Sequence, residues 1–345
     1  MKVKQKQKRI NYIDIAKGIA ILFMIIGHVT QRGWKRNVIF SFHMPLFIIC
    51  SGIFYKKDRT FKEEMIKIIK KLILPYCFYL FLDTFIRCTI NAGFDFNIMK
   101  KIIVEFSKSL IMSYTYKGNL NIYNNITPAG VLWFVPMLAV IRLVFYGIKK
   151  FTKENEILLC LVNILISFIG YILGINTYFL PFNIDIAFFS IIFYYFGYLM
   201  KKYQLMEKFH WKELSVITII WIIGIKFACI ELALRKYPTF SVITAICGNL
   251  VVLNICKILS NWFNFKAFTW AGQNSFKILG AHQFDWRIIE KVIPFTKLSK
   301  NYTLNKIEYS CIRIIFCVTF AYVLVLIEKI LKKIVYKKKH KCLYQ

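Results

Sequence analysis

The sequence predicts an all-α polytopic membrane protein, a bundle of about ten transmembrane helices with both termini in the cytoplasm. Three observations carry that expectation. Mean hydropathy is +0.53 and 58% of the 345 residues are hydrophobic, too apolar for a water-soluble domain of this size. The apolar residues gather into stretches of about 20, the length that crosses a hydrocarbon core of roughly 30 Å. Lys and Arg number 48 against 17 Asp and Glu, a formal charge of +31, and these cations are unevenly spread between the stretches. Read alone, that charge suggests a nucleic-acid binder. The hydropathy argues against it, whereas cations on the cytoplasmic face of a lipid bilayer reconcile both numbers.

The spans are expected near residues 12–30, 37–55, 72–91, 129–147, 156–175, 183–200, 213–232, 239–257, 272–290 and 307–328. They leave room for a single membrane domain, about 10–330, with short basic tails. With both ends inside, the Lys and Arg outside the spans fall in cytoplasmic rather than outward segments by about two to one, which agrees with the positive-inside bias. The first span has a basic flank, yet Asp14 and Lys17 interrupt its apolar run and no A-x-A site follows, so an uncleaved helix is expected. The ten cysteines form no CxxC pair and read as small apolar packing residues. In the long outward loop 92–128, the polar stretch GNLNIYNNITPAG is placed over an outward-facing cavity, and Lys100–Met112 reads as an interfacial helix.

Ionisable groups inside spans are costly and mark function. Asp14, Lys17 and His28 share the first span. At 100° per residue they fall within about a 60° sector of one face, with Lys17 and His28 about 16 Å apart along the axis. Asp14 and Lys17 are spaced to pair, while Lys17 and His28 line two levels of one channel. A structural ion pair and a snorkelling histidine would explain each residue singly; three on one sector favour a site.

The second span carries His43, Pro45, Ser51 and Gly52; Pro45 removes a backbone donor beside His43, and a lone Ser51 more often bonds to its own helix than acts as a nucleophile. Trp133, Asp185 and His282 come from the fourth, sixth and ninth spans, and with His28 and His43 they fall at roughly one outer membrane level. Such a set suits acid–base chemistry with a carboxylate orienting an imidazole; Asp185 is a candidate orienter, with His282 the alternative, and which histidine Asp185 touches stays open. The spacing shows no HxxH-type pair, and no metal is expected. A proton-coupled transporter or flippase for a saccharide or lipid-linked glycan would use the same residue types.

The wording of the motifs is more specific. IDIAKGIAILFMIIGH, FHMPLFIICSG, LWFVPML, NIDIAFFSIIFYYFGYL and GQNSFKILGAHQ, in this order, resemble the membrane acyltransferase-3 family, above all its fucose 4-O-acetylase-like branch. The resemblance covers about residues 10–330. It implies a bundle of about ten helices in the bacterial plasma membrane that moves acetyl from acetyl-CoA to a hydroxyl of a sugar, cell-surface polysaccharide or other acceptor. It further implies that His28 is catalytic, with Lys17 as its motif partner and Asp14 paired to that lysine. By the same resemblance His43 and Ser51 line the site. Many members have an arginine pair before the third span; here the segment reads KIIKKLILPY, so Lys67, Lys70 and Lys71 take the place of the CoA-binding arginines. Lysines bind phosphate as point charges, without the guanidinium fork.

Overall fold

The computed structural model describes residues 10–92, 95–113, 129–176, 180–227, 229–293 and 302–341. Fifteen α-helices account for most of them, and the described residues contain no strand beyond one isolated bridge, Glu231 to Lys236. In chain order they are α1 (Asn11–Val29), α2 (Trp34–Ile53), α3 (Phe61–Ile68), α4 (Leu74–Arg87), α5 (Phe96–Met112), α6 (Phe134–Phe151), α7 (Glu156–Ile175), α8 (Ile184–Lys202), the single turn α9 (Leu205–Lys208), α10 (Trp211–Phe227), α11 (Ser241–Trp262), α12 (Lys266–Gln273), α13 (Ser275–His282), α14 (Asp285–Val292) and α15 (Tyr302–Lys341). Most of the outward-loop stretch GNLNIYNNITPAG lies outside the described residues.

Among the described residues seven helices are long and apolar enough to cross a membrane: α1, α2, α6 with its preceding turn, α7, α8, α11 and α15. The other three expected spans differ for local reasons. Near residue 72 the chain forms a π-helical turn, Ile69–Ile73. Pro75, at the start of α4, cannot donate to the preceding turn and crowds its carbonyl. The 213–232 stretch stops at Phe227, giving 17 residues. The ninth breaks at Asn274 into α12 and α13, then again into α14, each of eight residues.

The long helices pack through small residues, as expected where lipid supplies no hydrophobic drive. Gly18 of α1 lies against the backbone of Phe268 on α12, and Gly272 of α12 against the Asp14 carbonyl; a methyl group at either position would collide with that backbone. Gly52 of α2 and Gly197 of α8 bring a second pair together in the same way, facing Tyr194 and Ile49. These contacts fix α1 and α2 against α12 and α8, and so set where their polar side chains face. The outer sides of α7 and α10 remain apolar and exposed (Ile157, Phe168, Ile219, Ile223), as lipid-facing surface should be.

Candidate active site between two cavities

Two cavities run into the bundle from opposite ends and share a wall. The first, about 360 Å³, starts among Arg59, Lys67 and Lys71 at the end where α1 begins, passes Lys17 and Ser51, and reaches His28. The second, about 840 Å³, opens among Arg36, Arg87, Glu231 and Arg287 and also reaches His28. Met44, Val131 and Trp133 line both at the junction.

His28 occupies the last turn of α1. It is the exposed member of the three deep histidines, and its free surface faces the cavities; His43 and His282 are each 2% exposed. Among the described residues neither nitrogen of His28 has a hydrogen-bond partner. Its ring sits 5.3 Å from that of His282 and 6.2 Å from that of Phe40, centroid to centroid. Phe40 in turn stands 4.9 Å from His43. On α2, the His43 Nδ1–H donates to the Ile39 carbonyl at 2.8 Å, because a carbonyl can only accept; that leaves Nε2 as the lone-pair nitrogen.

A carboxylate does hold a histidine here, but it is Asp285, not Asp185. Asp285 Oδ2 accepts from His282 Nδ1 at 2.7 Å, and Arg313 of α15 clasps the carboxylate with both arms, Nε to Oδ2 at 2.9 Å and Nη2 to Oδ1 at 2.6 Å. The tautomer follows: His282 carries its proton on Nδ1 and a lone pair on Nε2. Cys317 Sγ approaches Asp285 Oδ2 at 3.4 Å. His282, Asp285 and Cys317 together present metal-ligand atoms, but Arg313 already donates to both Asp285 oxygens and supplies the positive charge a metal would bring.

Asp185 contradicts its expected role. It is fully buried at the start of α8 and accepts from Arg235 Nε at 2.5 Å and Nη2 at 3.3 Å, with Asn183 Oδ1 also near that guanidinium. It lines neither cavity. The reason is topological: Arg235 sits in the short connection before α11, with left-handed φ 54, and reaches Asp185 before any histidine can.

The remaining expected residues divide. Lys17, Ser51, Lys67 and Lys71 line the first cavity, Trp133 the junction, and His43 and His282 the second. Asp14 lies behind Lys17, 3.7 Å from its Nζ, and accepts from Gln273 Nε2 at 3.2 Å. Lys70 is exposed and outside the cavity wall, one residue off the face that Lys67 and Lys71 share. Sequence reasoning missed Arg59 and Arg142, which line the first cavity and both bond Glu64, Arg59 at 2.7 Å. Burial raises the Glu64 carboxyl pKa, and the two guanidinium groups outweigh it and hold the group below its usual range. Lys67 is pushed the other way: burial, then Arg142 and Arg59, lower its ammonium to about 8. Among the described residues no carboxylate pairs with Lys67 or Lys71. The first cavity therefore holds five cations (Lys17, Arg59, Lys67, Lys71, Arg142) against two carboxylates, Asp14 and Glu64.

An imidazole walled into a helical membrane bundle, open to a cationic cavity on one side and a larger polar one on the other, defines a membrane-embedded transfer site. The chain belongs to the acyltransferase-3 family: the family model described as an acyltransferase domain matches residues 10–326. It is a multi-pass membrane acyltransferase, and the carrier alternative receives no support from this assignment. Comparison with curated proteins and with solved structures returns no match.

Proposed function

We propose that the protein is an O-acetyltransferase of the bacterial plasma membrane, moving acetyl from cytoplasmic acetyl-CoA to a hydroxyl of a sugar or cell-surface polysaccharide. The observation that carries this reading is His28, the one histidine facing both cavities. The first cavity suits the donor, since its excess of cations favours the phosphates of CoA. Lys17 and His28 lie on one helix about 16 Å apart, a gap suited to an extended pantetheine arm.

In this mechanism the acceptor hydroxyl approaches His28 from the second cavity. Its oxygen attacks the thioester carbonyl while the neutral imidazole takes the hydroxyl proton. The tetrahedral intermediate collapses, the C–S bond breaks, and the imidazolium returns the proton to the departing CoA sulfur. An ester and free CoA result, and the histidine is regenerated. Lys17, Lys67 and Lys71 hold the donor; His282, fixed by Asp285 and Arg313, packs beside His28 and limits its rotation.

The test uses membranes containing His28→Ala at normal abundance, incubated with radiolabelled acetyl-CoA. Label should fail to enter the glycan fraction, a loss of about a hundredfold or more. Undiminished transfer by that variant would remove His28 from the mechanism.

A further inference from the structure

The second cavity has a charge pattern unlike the first. Four guanidinium groups line it, and each is already paired: Arg36 Nη1 with Glu231 at 3.0 Å, Arg87 Nη2 with Glu105 at 3.0 Å, Arg287 Nε with Asp83 at 3.0 Å, and Arg313 with Asp285. No lysine lines it. In a chain of charge +31, the donor cavity keeps a surplus of three cations and this one keeps none. Each carboxylate, Glu231 in the wall itself and the other three beside their arginines, weakens what an anionic ligand would gain there, so the cavity attracts anions less than the first one does.

Besides its histidines, a buried amide oxygen in its wall is left without a partner among the described residues. Gln283 is 4% exposed, and its Nε2 donates to Asp83 Oδ2 at 3.3 Å. Because a carboxylate only accepts, that bond fixes which end of the amide is nitrogen. Gln283 Oε1 is buried with no hydrogen-bond partner among the described residues, on a side chain that lines the cavity. A buried acceptor left unpaired is costly and calls for a donor. Gly130 makes room for the amide: its φ is +57, and a Cβ there would stand 2.6 Å from Gln283 Oε1. Trp286, beside it, adds a flat apolar face.

Paired charges, an unmatched acceptor and aromatic walls describe a site for a molecule rich in hydroxyl donors and without net charge. We infer that the second cavity takes an uncharged saccharide as acceptor, with one of its hydroxyls donating to Gln283 Oε1, and that it discriminates against uronates and sugar phosphates. This rests on the acyl-transfer reading and specifies its acceptor.

The full-length protein in lipid nanodiscs supplies the test. It is given radiolabelled acetyl-CoA with a pool of neutral methyl glycosides (hexose, 6-deoxyhexose, N-acetylhexosamine), or with a pool of methyl hexuronides and hexose phosphates. Retention of labelled CoA is measured in parallel. Label should enter the neutral pool in preference by about tenfold or more. Gln283→Met should lower that transfer by about tenfold while CoA retention stays unchanged. Glu231→Gln, which frees the Arg36 guanidinium, should admit the hexuronides, a gain that misfolded protein cannot give. Label in the anionic pool, or in neither pool while CoA is retained, overturns the acceptor assignment alone. Failure to retain CoA overturns the acyl-transfer reading itself.

Discussion

His28 and His282 stand side by side, their ring centroids 5.3 Å apart and their planes tilted by 48°, although one closes the first helix and the other the second half of a broken one. Only the first faces both cavities; the second is bound to Asp285. On the proposed mechanism His282 is therefore a positioning residue. Replacing it with Phe should lower kcat by about a hundredfold, the scale of a roughly 1 Å misplacement, with the KM for acetyl-CoA little changed. Steady-state kinetics on purified protein separates the two parameters; a raised donor KM at constant kcat would contradict this role.

The Asp285–Arg313 pair is buried, at 0% and 9% side-chain exposure. Removing either charge strands the other, at a cost of about 3–5 kcal/mol. Asp285→Asn and Arg313→Met should each lower the thermal unfolding midpoint in detergent, and the double variant should lose less than the sum of both. Additive losses would mean that the two residues do not act as a pair.

Asp185 and Arg235 make the same kind of buried pair away from the cavities. Asp185→Ala should reduce stability by a similar amount, about 3–5 kcal/mol, and reduce the yield of folded protein. Activity per folded molecule should remain near wild type, measured as kcat normalised to the monodisperse fraction. A specific loss of kcat at full stability would return Asp185 to the site.

Lys67 gives a pH signature. Its ammonium is lowered to about 8 because burial and neighbouring guanidinium groups disfavour the charged form. Below that pH it is cationic and attracts the donor's phosphates; as pH rises through it the charge is lost. The KM for acetyl-CoA should therefore rise by about tenfold between about pH 7 and pH 9. Lys67→Arg should flatten the profile, since a guanidinium stays charged throughout. An identical rise in both proteins would assign the effect to another group.

Much of this architecture is legible in the residues themselves. Hydropathy locates the seven long helices, and the 100° periodicity of α1 aligns Lys17 with His28. The misses share a cause: charge partners are tertiary facts. Asp185 looked like an orienter because it sits at the level of the histidines, but level says nothing about which neighbour reaches it first. His282 and Asp285 are three apart, a spacing that does announce contact along a helix, in a stretch whose apolar run Lys277, Asp285 and Arg287 interrupt. Of the cations assigned to spans, Lys17, Arg87, Arg142, Arg287 and Arg313 line a cavity. Only the lysine was singled out; the arginines were visible as anomalies, without a means of telling which cavity each served.

The break between α12 and α13 has a chemical consequence. Its backbone is bridged within the chain, Asn274 N donating to the Trp270 carbonyl and Ile278 N to that of Asn274, so what the break changes is which side chains meet the cavity. Ser275, the first residue after the break, lines the donor cavity. With Lys17, Arg59, Lys67, Lys71 and Arg142 it makes a wall that water readily wets, so on the proposed mechanism a thioester held there lies within reach of water as well as of an alcohol. On the proposed mechanism an imidazole that deprotonates a sugar hydroxyl deprotonates water too, so slow splitting of acetyl-CoA is expected when no acceptor is present. How well the second cavity is filled sets the ratio of transfer to loss.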